Sequence, residues 1–376
     1  MNRKNLAFLA FPEQTELLIS ELAGRFGITR KPDARYGELL YYENLEISEG
    51  LGFSGGLQSS DVSKLAEIPQ PSEVPKLTDA PQIAEVSKPS DVSKLAERSQ
   101  RTELPAHSGI PIPYWARTIM LEPFFLKFDS IGEAAGELKK LQRNWAPYQY
   151  TCFRRAQLIQ EKLPYINLKD RQFPVNIPNS PMGLYTLIDE HTMIASAATT
   201  STLPAGTLHF IEDHENPPSR AYLKIQESLT MANLLNGTEL PHEGQHCFEA
   251  GACPGGWTWV LVGLGASVFA VDRAPLADSL MKNPLVRFQA HDAFTLKPEE
   301  LEHFDWIFSD VICYPERLLE WINRWLTYQP DLNMICTIKM QGAIDWPLIQ
   351  KFADIPGSRI VHLNYNKHEL TWIHTH

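Results

Sequence analysis

Cysteine is scarce and shows no pairing pattern. Cys152, Cys247, Cys253, Cys313 and Cys336 are scattered over 376 positions, with no CxxC pair and no histidine at ligand spacing. That argues against a disulfide framework and against a structural zinc site. His362, His368, His374 and His376 also lack the spacing of a ligand set, so no metal is expected. Long apolar runs are missing: nothing approaches the ~20 residues a membrane span needs. The short run in MNRKNLAFLAF stops at Pro12, before a signal-peptide core is complete. A soluble, cytoplasmic chain with no membrane partner is expected. Basic charge is not in excess, since 34 Lys and Arg against 45 Asp and Glu leave a net charge of −11. Broad electrostatic capture of nucleic acid is disfavoured, and any RNA must meet a local basic surface.

What is there is globular in composition, with 43% hydrophobic and 21% charged residues, and long enough for about two to three domains. A stretch with a period of six divides it. From residue 61 it reads DVSKLA, EIPQPS, EVPKLT, DAPQIA, EVSKPS, DVSKLA, ERSQRT, ELPAHS, each unit opening on an acid. A hexapeptide β-solenoid is one reading. However, prolines recur at several phases, where they would remove ladder donors, and the stretch has no aromatic residue. A disordered, partly polyproline-like linker is therefore expected over 50–109. Before it, residues 1–49 read as an α+β segment: strand Asn5–Phe11, helix Glu13–Phe26, strand Tyr36–Glu43. After it, 110–212 completes a small N-terminal α+β domain with a helix near Ile131–Leu141. Residues 213–376 alternate strand and helix, the pattern of an α/β sheet.

The most informative segment is QHCFEAGACPGGWTWVLVGLG, residues 245–265. A short apolar run (Cys247–Ala250) enters a glycine-rich turn, and Trp257–Leu264 follows with helical spacing. Gly251, Gly255 and Gly256 permit positive φ and let a ligand press on bare backbone, while the helix start presents free N–H groups. Asp272 closes the apolar run Ser267–Val271, where a carboxylate can grip ribose hydroxyls. The turn is not GxxxxGK[ST], and with Pro254 inside it and GxxxGG spacing it is not GxGxxG. A turn that merely packs a helix on a sheet stays open.

GACPGGW resembles the cofactor turn of the FtsJ-like, S-adenosylmethionine-dependent ribose 2′-O-methyltransferases. The likeness continues through Pro218–Met231, Phe248–Met281, His291–Phe294, Ile307–Asp310, Ile338–Met340 and His368–Thr371, and more weakly over Trp115–Leu141 and the first forty residues. It is closest to the branch that methylates a cytidine of large-subunit ribosomal RNA. The linker has no counterpart there, and the N-terminal half is abridged. The resemblance implies a C-terminal Rossmann-like domain, S-adenosyl-L-methionine as cofactor and RNA (ribosomal) as partner; a monomer is expected. It implies a cofactor site in which Cys253, Pro254, Gly255 and Gly256 wrap the methionine moiety, Asp272 meets the ribose, Asp292 the adenine amino group, and Ser219 lines the pocket. Gly251, Trp257 and Asp310 complete that site. Ser219 as a helix N-cap and Asp292 as a helix cap are the plainer readings. Glu249 stands where the family has Asp.

The resemblance also implies a catalytic tetrad, matched here by Lys224, Asp310, Lys339 and Glu369. In-line methyl transfer to a ribose hydroxyl needs an aligned oxygen and a base. Lys339 ends the apolar run 332–338 and Asp310 the run 306–309, at the sheet edge where α/β sites lie. Burial and the neighbouring Lys224 would fit Lys339 to accept a proton, with Glu369 positioning it at the start of a last strand. Taken singly, each has a plainer reading: a Lys224–Glu227 helix pair on a solvated face, a strand end in water, a turn cap, a charged strand entry. Finally, Lys139, Lys140, Arg143, Arg154 and Arg155 interleave with Trp145, Tyr148, Tyr150 and Phe153. That is either a surface for single-stranded RNA or a core segment with one solvated face.

Overall fold

The computed structural model describes residues 2–47 and 112–376; the linker expected over 50–109 lies outside them. The chain divides into two compact units. One takes the described residues of Met1–Pro113 with Thr118–Ile166 and Pro181–Ala205, the other Tyr114–Arg117, Asn167–Ser180 and Gly206–His376.

The first unit is α+β. Its elements are β1 (Asn2–Ala10), α1 (Thr15–Phe26), β2 (Ala34–Tyr36), β3 (Leu39–Ile47), β4 (Ala116–Leu121), β5 (Phe124–Lys127), α2 (Ile131–Leu141), β6 (Trp145–Pro147), α3 (Phe153–Lys162), β7 (Gly183–Leu187), β8 (Thr192–Ser196) and β9 (Ala198–Thr199). They build one sheet in the order β2-β3-β1-β4-β9 and another in the order β5-β8-β7-β6. Where the sequence suggested one strand over Tyr36–Glu43 there are two, because Gly37 turns the chain at φ 64°. Helix α2 begins where local chemistry dictates. Ser130 Oγ accepts from Glu133 N at 3.1 Å, and the Glu133 carboxylate accepts from Asp129 N at 2.9 Å, so each side chain satisfies an orphan amide. The helix buries Ala134, Ala135, Leu138 and Leu141, an i, i+4, i+7 stripe that packs with Trp145, Ile159 and Tyr185 in one core cluster.

The second unit is a seven-stranded α/β sheet. It comprises α4 (Tyr222–Asn236), β10 (His246–Ala250), α5 (Gly256–Gly263), β11 (Ser267–Asp272), α6 (Asp278–Met281), β12 (Val286–Ala290), β13 (Trp306–Ser309), α7 (Pro315–Tyr328), β14 (Asn333–Lys339), α8 (Trp346–Ala353), β15 (Ser358–Val361) and β16 (Glu369–His374). The strand order is β12-β11-β10-β13-β14-β16-β15. Pairings from β12 across to β14 are parallel, whereas β16 runs antiparallel to both β14 and β15. This is a Rossmann-like arrangement. Order reverses between β10 and β13, so a crevice opens at their carboxyl ends, where such sheets bind ligands. Helix α7 buries Leu318, Trp321, Ile322 and Trp325, and Phe248 of β10 meets Trp325 at 5.4 Å and Phe269 at 5.7 Å between ring centroids. Truncating one such aromatic to alanine costs about 3–5 kcal/mol, so the central strands that carry the site are firmly held.

Candidate active site

The glycine turn joins β10 to α5. Gly251 sits at φ 78°, and a β-carbon there would stand 2.7 Å from Val311 Cγ2; Gly255 sits at φ 109°, and one there would stand 2.3 Å from Leu280 Cδ1. The positive φ strains any side chain at these two positions, and the neighbouring methyls would have to shift to admit one. The turn is tied to the next strand: Gly251 N donates to Val271 O at 2.9 Å and Cys253 N to Asp272 Oδ2 at 3.0 Å. Asp272 Oδ1 accepts from Ala274 N at 3.1 Å, so this carboxylate braces the turn from the end of β11. Cys253 Sγ lies 3.2 Å from Pro275 O, burial pushes its thiol up, and Pro254 O accepts from Ala277 N at 3.0 Å. The Trp257 indole is 3% exposed and donates to Ala221 O at 3.1 Å. Its ring bolts α5 to the start of α4, which leaves its backbone as the part facing the turn.

Ser219 does not cap α4; Ala221 holds that position and makes no side-chain cap bond. The Ser219 hydroxyl points at the turn instead, 2.4 Å from where a Gly256 β-carbon would stand, and it is buried without a hydrogen-bond partner. Asp292 does cap a short helical turn, accepting from Phe294 N at 3.0 Å. Its other oxygen takes Arg273 at 3.1 Å and Arg317 at 3.2 Å. Burial raises the Asp292 carboxyl, but the amide and the two guanidiniums outweigh it and hold it below the usual range.

Four ionisable side chains close a ring at the carboxyl ends of the strands. Lys224 Nζ lies 3.3 Å from Asp310 Oδ1 and 2.5 Å from Glu369 Oε1. Lys339 Nζ lies 2.7 Å from Asp310 Oδ1 and 3.9 Å from Glu369 Oε2. Three secondary elements supply them: α4 carries Lys224, β14 ends on Lys339, β16 begins on Glu369, and Asp310 follows β13 directly. Burial works to raise the Asp310 carboxyl, yet the ammoniums of Lys224 and Lys339 prevail and hold it below its ordinary value.

Two further carboxyls of this unit are buried: Glu227, read from the sequence only as a helix partner of Lys224, and Glu249, read only as standing where the family has Asp. Glu227 does not pair with Lys224 on a solvated face. It is 2% exposed and accepts from Asn364 N at 2.9 Å, Asn364 Nδ2 at 2.6 Å and Tyr365 N at 3.2 Å. Burial pushes it up to about 7. Its partners lie 137 and 138 positions away, beyond any local signal. Glu249, on β10 beneath the turn, accepts from Thr258 Oγ1 at 2.6 Å; burial, opposed by that bond, pushes it up to about 8. The basic and aromatic stretch also divides: Trp145 (0% exposed) and Tyr148 (9%) belong to the core, whereas Tyr150 (40%) and Phe153 (58%) stand in solvent. Among the described residues, no helix is long and apolar enough to cross a membrane and no group of His, Cys, Asp and Glu could hold a metal ion.

Residues 217–335 match the FtsJ-like methyltransferase family. The chain is 40% identical over 125 residues to "Ribosomal RNA large subunit methyltransferase M" of Halorhodospira halophila, covering 33% of this chain and 36% of that one. It is 30% identical over 211 residues to the protein of the same name from Hahella chejuensis, covering 55% and 50%. The chain thus spans about a third to a half of the length of these relatives. Among solved structures, the fibrillarin pre-rRNA processing protein of Methanococcus jannaschii aligns with a TM-score of 0.31 at 18% identity, over 36% of this chain and 68% of that one; so slight a likeness says nothing of function. The residues fit a nucleoside cofactor on their own terms, with a cradle that β-carbons would fill and unpartnered buried hydroxyls at Ser219 and at Ser309, the last residue of β13. The segment 217–335 is thus similar to the FtsJ-like methyltransferases, and its cradle and buried hydroxyls fit S-adenosyl-L-methionine as cofactor.

Proposed function

We propose that the chain methylates a ribose 2′-hydroxyl of RNA, a cytidine of large-subunit ribosomal RNA in particular, with Lys339 as the general base. The observation that carries this reading is the closed ring of Lys224, Asp310, Lys339 and Glu369 at the sheet edge beside the glycine turn. Two ammoniums and two carboxylates balance in charge, so the ring costs less to bury than any member alone. The relatives' printed names support ribosomal RNA as the substrate.

The two lysines are not equivalent. Lys224 is the more enclosed, with 9% side-chain exposure, and is held by both carboxylates; Lys339 is 17% exposed and has one close partner, Asp310. Lys339 is therefore the one an entering hydroxyl reaches, while Lys224 fixes Asp310 and Glu369. Bound S-adenosylmethionine supplies an electrophilic methyl on a sulfonium. A ribose hydroxyl attacking that methyl would break the carbon–sulfur bond and leave a neutral thioether, while its proton would pass to Lys339 Nζ once that ammonium has given up its own. Asp310 then holds the resulting ammonium in place, and Glu369 keeps the lysine aimed. In the cofactor site, Asp272 takes the ribose, Asp292 the adenine amino group through an oxygen it shares with arginines, and Ser219, Gly251 and Cys253 to Trp257 the methionine end. RNA meets the first unit through the exposed members of the basic stretch, Tyr150, Phe153, Lys139, Lys140, Arg143 and Arg154.

The test is methyl transfer from labelled cofactor to total RNA from a strain lacking the protein, with the ribose mark mapped. A 2′-O-methylcytidine in large-subunit RNA is expected. No incorporation, or incorporation on a base, overturns the reading.

A further inference from the structure

We infer that Ile312 and Tyr314 form a clamp that receives the base of the target nucleoside; this rests on the reading just proposed and specifies how its substrate is held. The two residues lie in the segment that leaves β13 immediately after Asp310. Ile312 is 80% exposed and Tyr314 65%, while Cys313 between them is 7% exposed. A buried anchor flanked by two projecting apolar side chains is an extended segment pinned from below. Its ends are pinned too. Val311 packs so closely on the glycine turn that its Cγ2 would lie 2.7 Å from a Gly251 β-carbon. Tyr314 sits in the extended region (φ −65°, ψ 143°) just before Pro315, the first residue of α7, where the proline ring disfavours the helical alternative. The two side chains are thus presented by a backbone with little freedom left to lose on binding.

Their place follows from the covalent structure of a nucleoside. The base and the 2′-hydroxyl are carried on adjacent sugar carbons, so a hydroxyl delivered to Lys339 brings its base to the rim of the same ring. Ile312 and Tyr314, two and four residues beyond Asp310, are the large apolar side chains that this rim exposes beside β13. An aliphatic face and an aromatic face can sandwich a base through its π-surface, which gives grip without reading hydrogen-bonding edges. The clamp therefore holds the target flipped against the ring, and recognition of a particular nucleotide falls to other parts of the chain.

The experiment is steady-state methylation of large-subunit ribosomal RNA, from a strain lacking the protein, by full-length wild type, Ile312→Ala, Tyr314→Ala and Tyr314→Phe. Affinity for S-adenosylhomocysteine is measured in parallel. Tyr314→Ala and Ile312→Ala are expected to raise the KM for RNA by about 5- to 100-fold, with cofactor affinity within about twofold of wild type and Tyr314→Phe restoring the KM. An unchanged KM in both alanine variants overturns the clamp while leaving the methyltransferase reading intact, and points to an occupant other than RNA for this rim. A parallel loss of cofactor affinity overturns it as well, since the segment would then serve the glycine turn. A wild type that methylates no RNA overturns both.

Discussion

Lys339 and Glu369 are register partners, directly opposite one another where antiparallel β14 ends and β16 begins. Opposed residues of such a pair share a face of the sheet, so two members of the ring are set by backbone pairing and not by loop conformation. The Nζ–Oε2 separation of 3.9 Å is the longest in the ring, and Asp310 at 2.7 Å is the close partner of this lysine.

Replacing that lysine should separate chemistry from binding. Lys339→Ala is expected to lower kcat by about 10²- to 10⁴-fold with affinity for S-adenosylhomocysteine retained. Lys339→Arg, which keeps the charge but cannot give up its proton, should be equally inactive. Labelled-methyl incorporation beside calorimetric cofactor titration reads both; activity in the arginine variant speaks against a base at this position.

Asp310 stands between two ammoniums, and losing its charge leaves them with Glu369 alone. Asp310→Asn should destabilise the fold by about 1–3 kcal/mol, less than for a fully buried pair because the ring is partly open to solvent. Urea denaturation measures it. Adding Lys224→Met should recover part of the loss, and strict additivity of the two substitutions would contradict the coupling.

Glu249 and Glu227 lean the other way with pH. Both carboxyls are raised in the folded chain, to about 8 and about 7 from an ordinary 4.5. Below 4.5 folded and unfolded chains hold these protons alike. Between there and pH 7 to 8 the unfolded chain releases them first, so this part of the stability falls as pH rises. Asp310, depressed from 3.8, contributes above that value and loses its contribution as pH falls. Glu249→Gln, whose amide oxygen can still accept from Thr258, should flatten the decline in urea midpoint between pH 5 and 8. An unaltered slope would contradict the burial argument.

A side chain at the apex of the glycine turn would be strained. Gly255→Ala meets both a positive φ and the Leu280 methyl, and the conformation alone costs about 1–2 kcal/mol. Cofactor affinity should fall by about 10-fold or more. Leu280→Ala in the same chain relieves the clash but not the backbone strain, so it should recover part of the affinity and not all of it.

The four ring residues were named in the sequence through the family resemblance, and only two of them, Asp310 and Lys339, carry a local signal of their own. Asp310 and Lys339 close hydrophobic strands, and a charge at such a boundary marks the sheet edge where α/β sites form. The turn was legible because three glycines and a proline in seven residues leave few other structures open. Other features had no local signal. Glu227 lies on a helix buried from Tyr222 to Thr230, so no polar face showed which way it points, and its partners come from the far end of the chain. Trp145 and Tyr148 interleave with lysines and arginines just as Tyr150 and Phe153 do; strand pairing beneath α2 and α3, which composition does not encode, sorts core from surface.

The start of α4 is held by the glycine turn on one side and delivers Lys224 to the ring three residues after Ala221, the carbonyl that Trp257 grips. On the reading proposed above, a nucleoside settling into the turn would touch the same helical turn that sets where this lysine stands. Such a linkage works in both directions and by an equal factor. RNA should tighten the hold on the methyl donor as much as the donor tightens the hold on RNA, and once the donor is spent the grip on both should slacken together.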